Sequence, residues 1–174
     1  MVEKEEHLLR RMWAPWRIGY VAGERPEGCV FCLKIASDED DSNHVLLRGE
    51  HNVVILNTYP YNSGHLMVVP HAHVGTLAEL TQEAGCELWD LTGLAAQTVR
   101  EALHPQGLNI GMNIGEAAGA GIGDHLHMHI VPRWNGDTNY MTTVAETRVV
   151  PQSLEESFEQ LKPVIDRLVT GEDQ

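Results

Sequence analysis

No stretch of the 174-residue sequence holds the roughly 18 consecutive apolar residues that a membrane-spanning helix needs. The opening MVEKEEHLLRRMWAPW has no apolar run long enough for a signal peptide. A soluble, cytoplasmic protein with no membrane partner is expected. Positive charge is scarce, with 12 Lys and Arg against 25 Asp and Glu, a formal net charge of −13. That balance disfavours broad binding to a nucleic-acid backbone, and a polyanionic small molecule could bind only where local donors outweigh the global field. Cysteine is too sparse for a disulfide framework: Cys29 and Cys32 lie close together and Cys86 stands alone. In a reducing compartment the close pair points to metal or redox chemistry. Neither internal repeat, low-complexity tract nor linker divides the chain, so one α+β domain over residues 1–174 is expected.

What is present suits a compact fold. Hydrophobic residues make up 43% and charged residues 21%, and a domain of this length buries about 70% of the surface that its unfolded chain exposes. Residues 1–28 mix charge, aromatics and proline without periodicity and read as an extended arm. CVFCLKIA (29–36) suits a short helix, and SDEDDSN after it an acidic surface loop. HVLLRGE, NVVILNT and HLMVVP read as three strands of an antiparallel meander, with a turn near residues 49–52. Thr81 is a candidate N-cap for an amphipathic helix over 82–103, with Ala84, Leu88, Leu91, Leu94 or Ala95, Val99 and Leu103 at helical spacing. Cys86 on that helix is expected to be a buried core residue. GLNIGMNI (107–114) is a fourth strand and HLHMHIVP (125–132) a fifth, ended by Pro132. Ser153 and Glu156 form a capping box for a last helix that places Leu154, Phe158, Leu161, Ile165 and Leu168 on one face and that Pro163 should kink.

The fifth strand carries the chemistry. Residues two apart on a strand share a face, so His125, His127 and His129 should line up while Leu126, Met128 and Ile130 enter the core. Three readings follow: histidines on a solvated sheet face, an all-histidine metal site, or nucleophilic catalysis. A neutral imidazole attacks phosphorus readily, and with an ordinary pKa of about 6.5 a neighbouring histidine can hold a proton for the leaving oxygen. The preceding loop, GEAAGAGIGD, carries four glycines, and glycine lets backbone N–H groups come close to an anion. The adjoining loop therefore favours catalysis on a phosphate.

HLHMHIV also matches the His-φ-His-φ-His-φ-φ signature of the histidine triad (HIT) superfamily of nucleotide hydrolases and transferases, and NTYPYNSGHLMVVPHAH resembles that family's upstream segment. Residues 29–133 follow the general family as a HIT core, with 134–174 as a C-terminal extension. RMWAPWR, NTYPYNSGHLMVVP and HLHMHIVPRWNGDTN look most like the branch that includes bacterial diadenosine tetraphosphate (Ap4A) phosphorylases. The resemblance implies a HIT fold: a five-stranded, mainly antiparallel sheet with a long helix packed on it, a C-terminal helix, and a homodimer.

Residue by residue, it implies that His127 is the nucleophile forming a covalent nucleotidyl-histidine and that His129 lies near the α-phosphate and leaving group. His65 matches a fourth histidine that supports the nucleophile, Asn57 a ribose-contacting residue, and Asn113 an Asn on the strand before the phosphate loop. Backbone amides of Gly119, Gly121 and Gly123 would bind phosphate. Many hydrolase members have Gln-Ser or Gln-Thr where this chain has Gly121 and Ile122. The side-chain donors used there are missing, which favours inorganic phosphate over water as acceptor. The nucleotide would then be the small-molecule partner.

Cys29 and Cys32 have ligand spacing but do not complete a tetrahedral site. The resemblance implies that His73 and His125 complete a structural Cys2His2 zinc site, with His71 as the competitor for His73; no organic cofactor is implied. Trp13, Trp16, Arg17, Arg133 and Trp134 could stack on a base or contact distal phosphates, or could simply anchor the arm. No site role is assigned to them.

Overall fold

A computed structural model of the protein describes residues 28–137 and 152–171. Most of the expected arm, with Trp13, Trp16 and Arg17, lies outside the described residues, as does the stretch 138–151. Helices α1 (Val30–Ala36) and α2 (Asp40–Asn43) precede strands β1 (Val45–Arg48), β2 (Asn52–Leu56) and β3 (Leu66–Pro70). Helix α3 (Gln82–Leu103), strands β4 (Gly107–Gly111) and β5 (Met128–Arg133), and helix α4 (Leu154–Thr170) follow. The strands form one sheet in the order β1-β2-β3-β5-β4, antiparallel throughout. No described helix is long and apolar enough to cross a membrane.

Strands β2 and β3 are buried along their whole length, so both faces of the sheet must be covered. Helices α3 and α4 cover one face, where Leu46, Val54, Leu66, Val68, Met128 and Ile130 pack with Leu88, Ala95, Val99, Leu161 and Ile165. Each fully buried Val, Leu, Ile or Met among them contributes about 1.5–3 kcal/mol. The other face carries Val45, Val53, Ile55, Met67 and Val69 under Phe31 of α1. Unbroken apolar runs in β2 and β3 follow from this two-sided cover.

The long helix starts where its cap predicts: Thr81 Oγ1 accepts the Ala84 N–H. Ser153 and Glu156 make the reciprocal capping box of α4, which runs to Thr170 as one helix through Pro163. Glu87 of α3 fastens the β1–β2 turn, its carboxylate accepting from the N–H groups of Glu50 and His51 and from Asn52 Nδ2.

Four expectations need correction. The acidic stretch contains a helical turn because the Arg48 guanidinium gathers it, donating to Asp40 and to the carbonyls of Ile35 and Ser37. Strand β4 stops at Gly111, short of residue 114. Cys86 is exposed, because it sits about half a helical turn away from the inward positions Ala84 and Leu88. Strand β5 starts only at Met128 and runs past Pro132 to Arg133. Pro132 is tolerated because its carbonyl points to Asn62 Nδ2 at 2.9 Å, on the side where β3, whose pairing with β5 begins at Leu66 and Ile130, is no longer present to need a donor.

Candidate active site and metal cluster

Only His129 of the three alternating histidines lies within the ladder of β5; His125, at a bend, and His127 are in the segment that leads into it. All three are buried, at 0%, 6% and 8% exposure in chain order, and His65 is at 0%. The His127 and His129 rings meet edge to face with centroids 4.7 Å apart. Phe31 packs against both His125 and His127, at 5.4 and 5.1 Å.

Hydrogen bonds to groups of fixed polarity decide where each ring proton sits. His127 Nδ1 lies 2.8 Å from the carbonyl oxygen of His125. A carbonyl only accepts, so Nδ1 carries the proton and Nε2 keeps its lone pair. On His65 the logic reverses: the Tyr61 N–H donates to Nδ1 at 3.1 Å, which puts the proton on Nε2. Asn57 is oriented by the Tyr59 N–H on its Oδ1, so its Nδ2 faces the same His65 nitrogen at 3.3 Å. His65 Nε2 then donates to His129 Nδ1 at 3.0 Å, and the remaining proton of His129 must be on Nε2. That nitrogen is buried with no hydrogen-bond partner among the described residues.

All these rings are neutral near pH 7. Burial, then the charges that His129 and His127 would carry, hold His65 at about 3. Burial, then His127, holds His129 at about 4. Burial also lowers His127, partly offset by its bond to the His125 carbonyl. The site therefore offers a bare imidazole nitrogen on His127 and an N–H donor on His129, edge to face.

A pocket of about 360 Å³ opens beside His129, lined among others by Tyr61, Asn109, Gly111, Asn113 and Arg133. Asn113 lies just beyond β4 and is half-buried. In the glycine-rich loop Gly119 has φ +87°, in the left-handed region that favours glycine. Ile122, in place of a hydroxyl residue, packs against the apolar cluster of Phe31 and Met67.

The second constellation is separate. One donor atom each from Cys29, Cys32, His73 and His125 lie within 4.8 Å of one another. His125 Nδ1 is 3.3 Å from Cys29 Sγ, 3.5 Å from Cys32 Sγ and 3.2 Å from His73 Nδ1, and Cys32 Sγ is 3.3 Å from His73 Nδ1. Tetrahedral zinc, at about 2.3 Å to sulfur and 2.0–2.1 Å to nitrogen, separates its ligands by about 3.3–3.8 Å. The His125 ring is turned for coordination, because its Nε2 donates to the Pro70 carbonyl at 2.8 Å and leaves the Nδ1 lone pair facing the sulfurs. Burial, reinforced by the Cys29 thiol, raises the Cys32 pKa; a bound cation would invert that preference. His73, not His71, joins the cluster. The donor set suits a metal ion.

The resemblance implies that His65 supports the nucleophile; the triad ring it hydrogen-bonds is that of His129. Sequence reasoning missed Tyr61, whose ring packs on His65 and His129 at 4.8 and 5.7 Å, and Phe31. The aromatic residue inside CVFC could have signalled the latter; the role of the Tyr61 main chain had no signal in sequence. Arg133, considered for distal phosphates, is bound to Asp137 and Asn109.

Five antiparallel strands, with a histidine-rich segment feeding the strand between β3 and β4, define a histidine triad architecture. The chain belongs to the HIT domain family, whose profile matches residues 38–136. It is 37% identical over 158 residues to a Mycobacterium tuberculosis protein named AP-4-A phosphorylase, covering 86% of this chain and 80% of that one. Adenosine 5'-monophosphoramidase of Schizosaccharomyces pombe is 28% identical, over 62% of this chain and 75% of its own. A Zn-bound histidine triad family protein from Mycobacterium smegmatis superposes with a TM-score of 0.68 at 31% identity, covering 83% of this chain and 98% of that one.

Proposed function

We propose that the protein is a nucleotidyltransferase that splits Ap4A with inorganic phosphate, giving ADP and ATP. The observation that carries this reading is the His127 Nδ1 bond to the His125 carbonyl, which leaves Nε2 bare and neutral for attack on phosphorus. His127 Nε2 bonds to the α-phosphorus as the bond to the bridging oxygen breaks and ATP leaves. His129 Nε2–H stabilises negative charge on the transferring group and leaving oxygen, in a site where preorganised donors act strongly. Phosphate then attacks the adenylyl phosphorus, the bond to His127 breaks, and ADP is released. Backbone amides of Gly119, Gly121 and Gly123 would hold phosphate, Asn57 would contact the ribose, and Asn113 would lie beside the transferring group.

The acceptor is read as phosphate because Ile122 is engaged in apolar packing and no hydroxyl stands there to guide water. The mycobacterial relative's name supports the same direction. Release of AMP to water, from a dinucleotide or a phosphoramidate, is the second reading, favoured by the Schizosaccharomyces relative's name.

Zinc at Cys29, Cys32, His73 and His125 would be structural, tying α1 to the segment before β5; when bound it supplies charge neutralisation for the two thiolates. The described residues would belong to one HIT domain spanning 1–174. A homodimer is supported by the edge position of β4 and the exposed Ile110 and Ile114.

Product analysis of Ap4A incubations with and without phosphate, beside His127→Ala, tests the reading. ADP and ATP should appear only with phosphate and only with His127 present; AMP and ATP formed regardless of phosphate would make the protein a hydrolase.

A further inference from the structure

The Tyr61 N–H that fixes the His65 proton belongs to the turn between β2 and β3, and one side chain of that turn reaches across to β5. Asn62 is 5% exposed, and its Nδ2 donates to the Pro132 carbonyl and to Asp137 Oδ2, both at 2.9 Å. Its own carbonyl accepts the His65 N–H at 3.2 Å. Asp137 is anchored in turn: its two carboxylate oxygens take the Arg133 guanidinium at 2.7 and 2.8 Å, and Oδ2 also takes the Trp134 N–H at 3.2 Å. Arg133 reaches on to Asn109 Oδ1 at 2.6 Å. The turn that aims a donor at His65 is thus fastened to the far end of the strand that carries His129.

This matters because the two rings share one hydrogen bond, which holds one proton. While the Tyr61 N–H sits on His65 Nδ1, His65 must donate from Nε2 and His129 must keep its proton on Nε2, the buried nitrogen with no partner among the described residues. If that N–H moves away, His65 can carry its proton on Nδ1 instead. Its Nε2 then becomes an acceptor, the His129 proton shifts to Nδ1, and a bare lone pair faces the phosphate oxygens. The remaining contact, Asn57 Nδ2 at 3.3 Å, is the longer of the two.

We infer that the Asn62–Asp137 clasp is a positioning device that keeps His129 a hydrogen-bond donor toward the reacting phosphate, by holding the Tyr61 N–H on His65. The inference rests on the role of His129 given above. Asn62 and Asp137 act through other residues and touch no substrate.

The test uses ¹⁵N-labelled full-length protein, whose histidine ring spectra report which nitrogen of His65 and His129 carries the proton. The parent should show both protons on Nε2. In Asn62→Ala, and more mildly in Asp137→Asn, both rings should move toward mixed tautomers. In Asn62→Ala kcat should fall about 10- to 100-fold, part of the ~10²–10³ that one preorganised hydrogen-bond donor supplies, with KM for Ap4A little changed. A folded variant that keeps both Nε2 protons, or that loses kcat with unchanged ring signals, or whose loss lies in KM, overturns the inference. Asp137→Asn decides the matter if Asn62→Ala does not fold. The ring spectra need no substrate, so they separate the two tautomer patterns even if the parent does not turn over Ap4A.

Discussion

His65 Nε2 lies 3.0 Å from His129 Nδ1, and neither ring is more than 8% exposed. Charging either one would bury a cation beside a second imidazole, which is why their pKa values stand at about 3 and about 4, against an ordinary value of about 6.5 in the unfolded chain. The native state therefore binds fewer protons than the unfolded state below neutrality. Stability is complete above about pH 6.5 and declines as pH falls toward 4, each ring contributing a slope of up to about 1.4 kcal/mol per pH unit. Urea unfolding at pH 7.5 and pH 5 should differ by up to about 4 kcal/mol, about 2 kcal/mol from each ring. A flat profile would mean that the rings are not neutral in the folded state.

The metal cluster joins segments far apart in sequence, so its ligands cannot be prearranged in the unfolded chain, and metal affinity becomes folding free energy. Cys32→Ser should lower the metal content measured by elemental analysis and lower the thermal midpoint. Chelator should remove activity only as fast as structure is lost. Instant inhibition of folded protein would assign the metal to the chemistry instead.

Gly64 precedes His65 with φ +69°, and a Cβ there would stand 2.2 Å from Leu103 Cδ1. Gly64→Ala combines a left-handed penalty of about 1–2 kcal/mol with overpacking of about 1–3 kcal/mol. Denaturant midpoints should show a loss within the sum of those ranges; a loss of only about 1–2 kcal/mol would mean that Leu103 yields freely, and an unchanged midpoint would refute both penalties.

The Glu87 carboxyl is pushed up by burial, but the donors from Asn52, His51 and Glu50 outweigh this and hold it below the usual range. Glu87→Ala leaves those donors without their acceptor, and a loss of about 1–3 kcal/mol is expected in chemical denaturation. Stability equal to that of the parent would show that water replaces the carboxylate there without cost.

Much of this was legible because it is local or periodic. Thr81 and Ser153 announce their helices through the residues three positions on, and β2 and β3 announce themselves by unbroken apolar runs. The cluster was legible as Cys29, Cys32, His73 and His125 because the resemblance supplied the histidines; geometry then separated His73 from His71. Alternation alone could not say that the ladder begins at Met128, since a segment leading into a strand can alternate in the same way. The exposure of Cys86 could have been read from its offset to Ala84 and Leu88. The Asn62–Asp137 contact spans 75 positions between two ordinary polar residues of turns, and no local pattern marks it.

The bonds that choose the protonated nitrogen of His127 and of His65 end on the peptide chain itself, at the carbonyl of residue 125 and the N–H of residue 61. Side-chain substitution at 125 leaves that carbonyl in the sequence, and among the standard amino acids only proline at 61 would delete that N–H. A mutational scan would therefore credit the selection of reactive nitrogens to neighbours that merely hold the backbone in place. Apart from proline at 61, a substitution can displace the groups that set the proton positions but cannot remove them.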